Sequence, residues 1–399
     1  MTDRTVTRTR TGLDLRDDAL LCELLGRAPR VLSQGEERPQ ETCAMVTGAG
    51  GSVGSELVRQ LAVRRPHRLV LVEHSEYALF RIEQEIRERM PGVRIEPVLA
   101  DVTRPRQMRD LFERTRPTAV FHAAAYKHVA MLERDVLSAV RANVFGSLIV
   151  ARLAARHGAR FLLISSDKAA NPRSVMGASK RLAELAILAD PRGASQAVIV
   201  RFGNVLASSG SVVEVMLDRI RRAEPVQLTD AAATRYFMTG GEAVSLVLEA
   251  DRLGHTGDVF WLDMGEPVLI AALADRLRAI AVQAGLPNVG IEVIGLRPGE
   301  KQREELTVQG LELLSTAHPS ICVARQASFD ADAVRAVIAD LRTCLREQDA
   351  ARALAAIRRA VPEYVPSAAA VAAAAGTLPP AVRLEVVGPP ARVNGCASR

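Results

Sequence analysis

The chain has 399 residues, enough to bury a substantial core in one large domain or two modest ones, and 48% hydrophobic with 25% charged residues is a globular composition. Its net charge of +6 comes from scattered arginines rather than basic blocks, and no aromatic-basic patch argues for a nucleic-acid partner, so the expected ligand is a small anion. Five widely spaced cysteines without a CxxC pair point to a reducing compartment and exclude a structural zinc.

No apolar run reaches the roughly 18 residues of a membrane span. The opening MTDRTVTRTRTG has no signal-peptide core, so a cytoplasmic protein without an integral membrane segment is expected. Residues 1–41 are polar and Arg/Thr-rich, an extension expected to be partly disordered apart from one apolar stretch, ALLCELLG, that can form a helix. From Cys43 strand and helix signals alternate. AMVTGAGG, RLVLVE, RIEPVLAD, TAVFHAAA, ARFLLISSD and AVIVRFGNVL read as strands. SVGSELVRQLAVRR, SEYALFRIEQEIRERM, RPRQMRDLFERTR, VRANVFGSLIVARLAARHG and MGASKRLAELAILAD read as the helices between them. That alternation implies an α/β fold with a doubly wound parallel sheet over 42–205. The pattern loosens over 206–365, as expected of a smaller substrate-binding portion interleaved with the core. The Ala/Pro-rich residues 366–399 have little to pack and read as a disordered tail.

TGAGGSVG places Gly48, Gly51 and Gly54 between the first strand and its helix, where glycines let the backbone turn tightly and approach a pyrophosphate at the helix N-terminus. This is the Rossmann-type arrangement. Glu73 closes the second strand, where a carboxylate would bind the adenosine ribose hydroxyls, and Asp101 after the third would face the adenine. A carboxylate at Glu73 repels a 2′-phosphate, so NAD is favoured over NADP. Asp167 and Lys168 follow the fifth strand directly, an adjacent carboxylate and amine at the sheet edge where such folds bind ligands. The architecture leads one to expect a tyrosine at Met176, four residues before Lys180, and a thioether cannot exchange protons. Without further context the segment also reads as a capped strand end and an amphipathic helix, with Met176 as core. His122 and His128 have no carboxylate at metal spacing and read as structural, so no metal is expected. Asn143 reads as holding backbone near the active-site strand.

Seven ordered blocks, TGAGGSVGSELVRQL, HAAAYKHVAMLE, SSDKAANPRSVMGASKRLAE, RFGNVLASSGSVV, TRYFMT, LDMGEPV and GLRPGEK, resemble the CapD-like polysaccharide-biosynthesis branch of the extended short-chain dehydrogenases, the UDP-N-acetylglucosamine 4,6-dehydratases. The resemblance runs from about residue 14 to about VPEYVPS. Long members carry N-terminal transmembrane helices and an extra domain, so this chain is expected among the soluble forms. The resemblance implies oxidation at C4 of the hexose by bound NAD, elimination of water across C5 and C6, and return of hydride to C6. It assigns Asp167 as acid at the C6 oxygen, Lys168 as base at C5, Ser166 as holder of the C4 oxygen and Lys180 as the contact to the nicotinamide ribose. Methionine also replaces the tyrosine in many active members, so Met176 belongs to the catalytic set. The acceptor of the C4 hydroxyl proton stays open between Ser166 with a water, Asp167 and Lys180.

The cofactor contacts then expected are Gly48, Gly51, Ser52, Val53, Gly54, Glu73, Asp101, Val102, Ala123, Ala124, Lys127 and Lys180. Those to the UDP-sugar are Arg201, Asn204, Arg235 and Arg297. Such folds commonly pair through the helices carrying the MxxxK segment, which implies a homo-oligomer. Two departures, LRPGEKQREEL for LRPGEKLYEEL and the loop TDAAATRYFMTGGEA before Arg235, bear on which sugar is bound. The rivals are a nucleotide-sugar 4-epimerase and a non-catalytic NAD-binding protein.

Overall fold

The computed structural model describes residues 13–15, 17–28, 42–191, 196–304, 312–325 and 328–377. Six strands alternate with helices as the sequence predicts: β1 Cys43–Thr47, β2 Arg68–Glu73, β3 Ile95–Leu99, β4 Ala119–His122, β5 Arg160–Ile164 and β6 Ala197–Arg201. A seventh parallel strand, β7 Val259–Leu262, and two antiparallel ones, β8 Glu312–Ser315 and β9 Ile321–Arg325, extend the same sheet. The strand order is β8-β9-β7-β6-β5-β4-β1-β2-β3. The order reverses between β1 and β4, which pair in parallel from Ala44 with Ala119 to Thr47 with His122. A crevice above such a reversal is where open α/β sheets take ligands.

Helices cover both faces, which is why β1, β4 and β6 are buried throughout and read as continuous apolar runs. The chain order of the main helices is α1 Asp18–Leu25, α2 Ser52–Val63, α3 Glu76–Arg89, α4 Pro105–Thr115, α5 Val136–Arg156, α6 Val175–Ala189, α7 Val212–Arg221, α8 Gly240–Leu253, α9 Ile270–Gln283, α10 Ala331–Glu347, α11 Ala350–Ala360 and α12 Ala368–Ala374. Cys43 and Met45 of β1 face a core shared with α4, α5, α6, α10 and α11, while Ala44 and Val46 face the opposite core with α2, α3 and α8. Among the described residues α5 alone is long and apolar enough to cross a membrane, and 67% of its apolar window is buried inside the fold. It turns π-helical over Val140–Gly146.

Three regions differ from, or add to, the expectation. The apolar stretch of the N-terminal extension does form a helix, α1, and Leu21, Leu24 and Leu25 pack it into a third core with α7 and α9. Arg27 beyond it forms a two-pronged ion pair with Glu242, at 2.7 and 2.6 Å. Residues 1–12, 16 and 29–41 lie outside the described residues. The tail expected to be disordered is helical over α12, because Ser367 caps it and small alanine side chains let Ala370 bury against the fold; residues 378–399 lie outside the described residues. Ser367 also donates to the buried Glu133 carboxylate, which accepts from the Val175 N–H at 2.7 Å. The third difference concerns α6, through which copies were expected to pair. Thirteen of its residues are buried, and α10 and α11 of the same chain pack against it, so that face is already covered.

Leu24 is 0% exposed. Leu24→Ala is therefore expected to destabilise the full chain by about 2–5 kcal/mol in a urea melt, the cost of a cavity in a packed core. A loss of under about 0.5 kcal/mol would mean that α1 only rests on the surface.

Candidate active site

The glycine turn is shaped by contact distances as much as by chain reversal. Gly48 has φ +68°, and a Cβ there would meet the Ala124 backbone nitrogen at 2.7 Å. A Cβ at Gly54 would stand 1.8 Å from the Gly48 carbonyl oxygen, so neither position admits a side chain. Gly51 begins α2 without a side-chain cap. The first-turn N–H groups of Ser52, Val53 and Gly54 therefore have the positive helix end to offer an anion. Ala123 and Ala124 complete the close approach of the β1 and β4 loops. Glu73 is buried, and its oxygens accept from the N–H groups of Gly50 (3.1 Å), His74 (3.0 Å) and Ser75 (3.1 Å). The carboxylate expected at a ribose thus also braces the turn. Asp101 accepts from Thr103 N–H at 2.8 Å beside the buried Val102. Lys127 donates to the Ser208 hydroxyl at 3.1 Å, and the neighbouring Ser209 N–H donates to Ser52 at 2.9 Å. The geometry fits a dinucleotide whose pyrophosphate approaches bare backbone.

The reactive segment is equally compact. Beyond β5, Ser166 donates to Asp167 Oδ1 at 2.8 Å and its oxygen accepts from the Lys168 N–H, fixing a 3₁₀ turn over Asp167–Ala169. Asp167 is only 3% exposed. Lys168 Nζ donates to Asp167 at 3.0 Å and to Asn204 Oδ1 at 2.9 Å, and lies 3.4 Å from Glu304. Burial, the largest influence, works to lower the Lys168 pKa, but Asp167 and Glu304 together hold it above the usual lysine range. Gly177 on α6 packs against this turn, since a Cβ there would meet the Lys168 carbonyl oxygen at 2.4 Å.

Met176 is buried on the first turn of α6, and Lys180 one turn later donates to the Ile164 carbonyl at 2.9 Å. Burial pulls the Lys180 pKa down to about 8, with Glu184 opposing. Asn143, on the π-helical turn, accepts from Tyr126 N–H at 2.8 Å and donates to Tyr126 C=O and to Ser179, the backbone-holding role the sequence suggested. His122 is buried between Thr47 and Ser147, and burial pushes its pKa to about 3, so it stays neutral and structural. His128 packs on Gly210. Among the described residues no cluster suits a metal ion.

The arginines expected at the UDP end separate. Arg201 is 2% exposed, its guanidinium is taken by both oxygens of the buried Glu184, and Trp261 lies beside it. It is a buried structural partner rather than a substrate contact, since a buried pair that loses one charge costs about 3–5 kcal/mol. Arg235 donates to the carbonyls of Lys301 (2.6 Å) and Gln302 (3.1 Å) and lies 3.6 Å from Glu304. Arg297 stands exposed, its N–H held by Glu300. Asn204 reaches Lys168, and so joins the Asp167–Lys168 pair to the two-residue strand Asn204–Val205 that follows β6. Glu304 and Glu184 were not singled out in the sequence. Each sits in a charged helical-looking run, KQREEL or SKRLAE, where a carboxylate reads as solvated.

A cavity of about 800 Å³ opens beside the turn, lined among others by Gly50, Ser52, Ala78, Ser208, Ser209 and Gly241. Asp167, Lys168, Met176 and Lys180 are outside its lining.

A doubly wound sheet, a bare glycine turn at its switch point and a lysine one turn after a buried residue on the following helix define a Rossmann-type extended short-chain dehydrogenase fold. Within that class the chain belongs to the family described as polysaccharide biosynthesis proteins, which matches residues 44–326. It is 43% identical over 293 residues to the capsular polysaccharide biosynthesis protein CapD of Staphylococcus aureus, covering 71% of this chain and 48% of that protein. It is 38% identical over 360 residues to the probable polysaccharide biosynthesis protein EpsC of Bacillus subtilis, covering 89% and 60%. The chain thus spans about half to three-fifths of these relatives. A UDP-glucose 4-epimerase of Rickettsia akari is 31% identical over 272 residues, 66% of this chain and 76% of that one. Among solved structures, Pen from Bacillus thuringiensis superposes with a TM-score of 0.65 at 26% identity, over 76% of this chain and 98% of that one.

Lys180 gives a pH test. Its folded pKa of about 8 lies below the free value of 10.5, so the fold binds its proton less tightly than the unfolded chain does. Its destabilising contribution is complete below about pH 8 and disappears as pH rises to about 10.5. Urea melts should show Lys180→Met flattening stability across that window relative to the parent. Parallel profiles for the two proteins would place Lys180 at its ordinary pKa.

Proposed function

We propose that this chain is an NAD-dependent UDP-N-acetylhexosamine 4,6-dehydratase, a hydro-lyase acting on UDP-N-acetylglucosamine or a close relative to give a 4-keto-6-deoxy amino sugar for polysaccharide or related glycan synthesis. The observation that carries this reading is the buried Asp167–Lys168 pair at the carboxyl end of β5, together with Met176 in the tyrosine's place. Elimination needs an acid and a base close together, whereas oxidation and re-reduction at one carbon do not. The family membership and the similarity to CapD and EpsC support a role in polysaccharide synthesis. The free Cys22, Cys43, Cys322 and Cys344 suit a reducing cytoplasm.

The glycine turn, Glu73, Asp101 and Lys180 would hold NAD, which would supply oxidation at C4 and later the hydride for C6. The protein's own groups do the rest. Once the Lys168 ammonium has passed a proton to the Asp167 carboxylate 3.0 Å away, Ser166 holds the C4 oxygen, Lys168 takes the C5 proton and Asp167 gives its proton to the departing C6 hydroxyl. Lys180, charged below about pH 8, favours the negative forms of groups beside it. Arg235, Asn204 and Arg297 face the UDP end, and Arg201 drops from that list.

The epimerase reading keeps one support, the similarity to the Rickettsia akari protein. Mass spectrometry of the products from UDP-N-acetylglucosamine separates the two. Loss of 18 mass units, about one water, is expected from the elimination chemistry; an isobaric product would favour epimerisation. Lys168→Ala should lower dehydration by about 10²-fold or more while NAD stays bound. Full activity in that variant would remove Lys168 from the mechanism.

A further inference from the structure

One carboxylate in the site has no part in the chemistry just described. Glu304 has a buried side chain and lies 3.4 Å from Lys168 Nζ and 3.6 Å from Arg235 Nε. The stretch that carries it is tied down on three sides. Lys301 Nζ donates to the Asn171 carbonyl at 3.0 Å, just beyond the Asp167–Ala169 turn. Arg235 donates to the carbonyls of Lys301 and Gln302, and the Gln302 amide donates to Asp230. The segment is thereby held over the reactive pair, with Glu304 between the base and the arginine at the anionic end of the substrate.

We propose that Glu304 is a positioning residue that couples substrate binding to the release of Lys168, because one carboxylate holds both cations. An anion that takes Arg235 competes with Glu304 for the guanidinium and repels its carboxylate, which withdraws an acceptor from Lys168. The inference rests on the dehydratase reading, since it concerns when Lys168 becomes able to act as base.

The charged groups facing Lys168 are Asp167 on its own turn, Glu304 on the 301–304 stretch and Arg235 before α8; Asn204 contributes an uncharged acceptor. Asp167 and Glu304 favour the ammonium, while Arg235 and burial oppose it. Losing Glu304 therefore leaves the opposing influences less balanced, and Lys168 gives up its proton at lower pH. An anion on Arg235 also cancels that cation's smaller opposing influence, so drawing Glu304 away lowers the Lys168 midpoint less than substituting it does.

The test reads Lys168 directly, without turnover. The full-length protein is labelled with trace acetic anhydride across a pH series, and acetylation of the Lys168 peptide is followed by mass spectrometry. Only the neutral amine reacts, so the midpoint reports its protonation. In Glu304→Gln the midpoint should fall by about one pH unit or more, the shift expected when an adjacent opposite charge is removed. Glu304→Asp, which keeps the charge on a shorter arm, should lie between the two. UDP, which has the diphosphate but no sugar to react, should lower the midpoint of the wild type and fail to lower that of Glu304→Gln. An unchanged midpoint in Glu304→Gln, or no response of the wild type to UDP, overturns the proposal. Should Glu304→Gln fail to fold by thermal melt, the wild-type response to UDP decides alone. A wild type that shows these midpoints yet removes no water from UDP-N-acetylglucosamine loses the dehydratase reading and retains the coupling.

Discussion

Charge cannot be left unpaired under the carboxyl edge of a sheet covered on both faces, and the centre of this molecule is arranged around that requirement. Glu184 and Arg201 are both buried, and Ser165 donates to the same Glu184 carboxylate at 2.6 Å. Those three residues belong to α6, the end of β6 and the end of β5. The same three pieces of chain carry Lys180 and Met176, Asn204, and the Asp167–Lys168 pair. One buried ion pair thus joins the three pieces of chain that carry Asp167, Lys168, Met176, Lys180 and Asn204. Its own energy gain is offset largely by desolvation; what it contributes is geometry.

Around that pair the two lysines are driven in opposite directions. Lys168 has carboxylates on two sides and keeps its proton, whereas Lys180 meets one carbonyl oxygen and loses proton affinity to burial. Two amines of one residue type, close in sequence, are driven by their environments to opposite changes in proton affinity. Met176 fits this division. Its buried thioether adds no titrating group between the two lysines.

How much of this could be read from the chain depended on whether the physics was local. The strand-helix alternation was legible because strands buried on both faces must be continuous apolar runs, and because the glycines of TGAGGSVG are demanded by contacts a few residues apart. The contact between Asp167 and Lys168 was legible because the two residues are adjacent. Arg201 was misread because its partner Glu184 lies seventeen positions earlier on another element, where it looks like a helix-surface acid. Glu304 was passed over for the same reason, its partners being Lys168 and Arg235 rather than anything in KQREEL. The covering of α6 by α10 and α11 has no signal in α6 itself, since an apolar helix face looks the same whether its own chain or a second copy buries it. Alanine-rich composition likewise does not distinguish the packed α12 from an unpacked tail.

The Glu133 carboxylate has a consequence for the order in which the site is completed. It receives the first N–H of α6 at Val175 and the hydroxyl of Ser367, which caps α12. The helix bearing Met176 and Lys180 is therefore joined at its start to residues made almost two hundred positions later. During synthesis β1 to β5 and the start of α6 emerge before Ser367, so this one contact can form only after the start of α12 has left the ribosome. The start of α6, which reads as part of a short continuous segment, is braced in the folded chain by a residue far downstream of it.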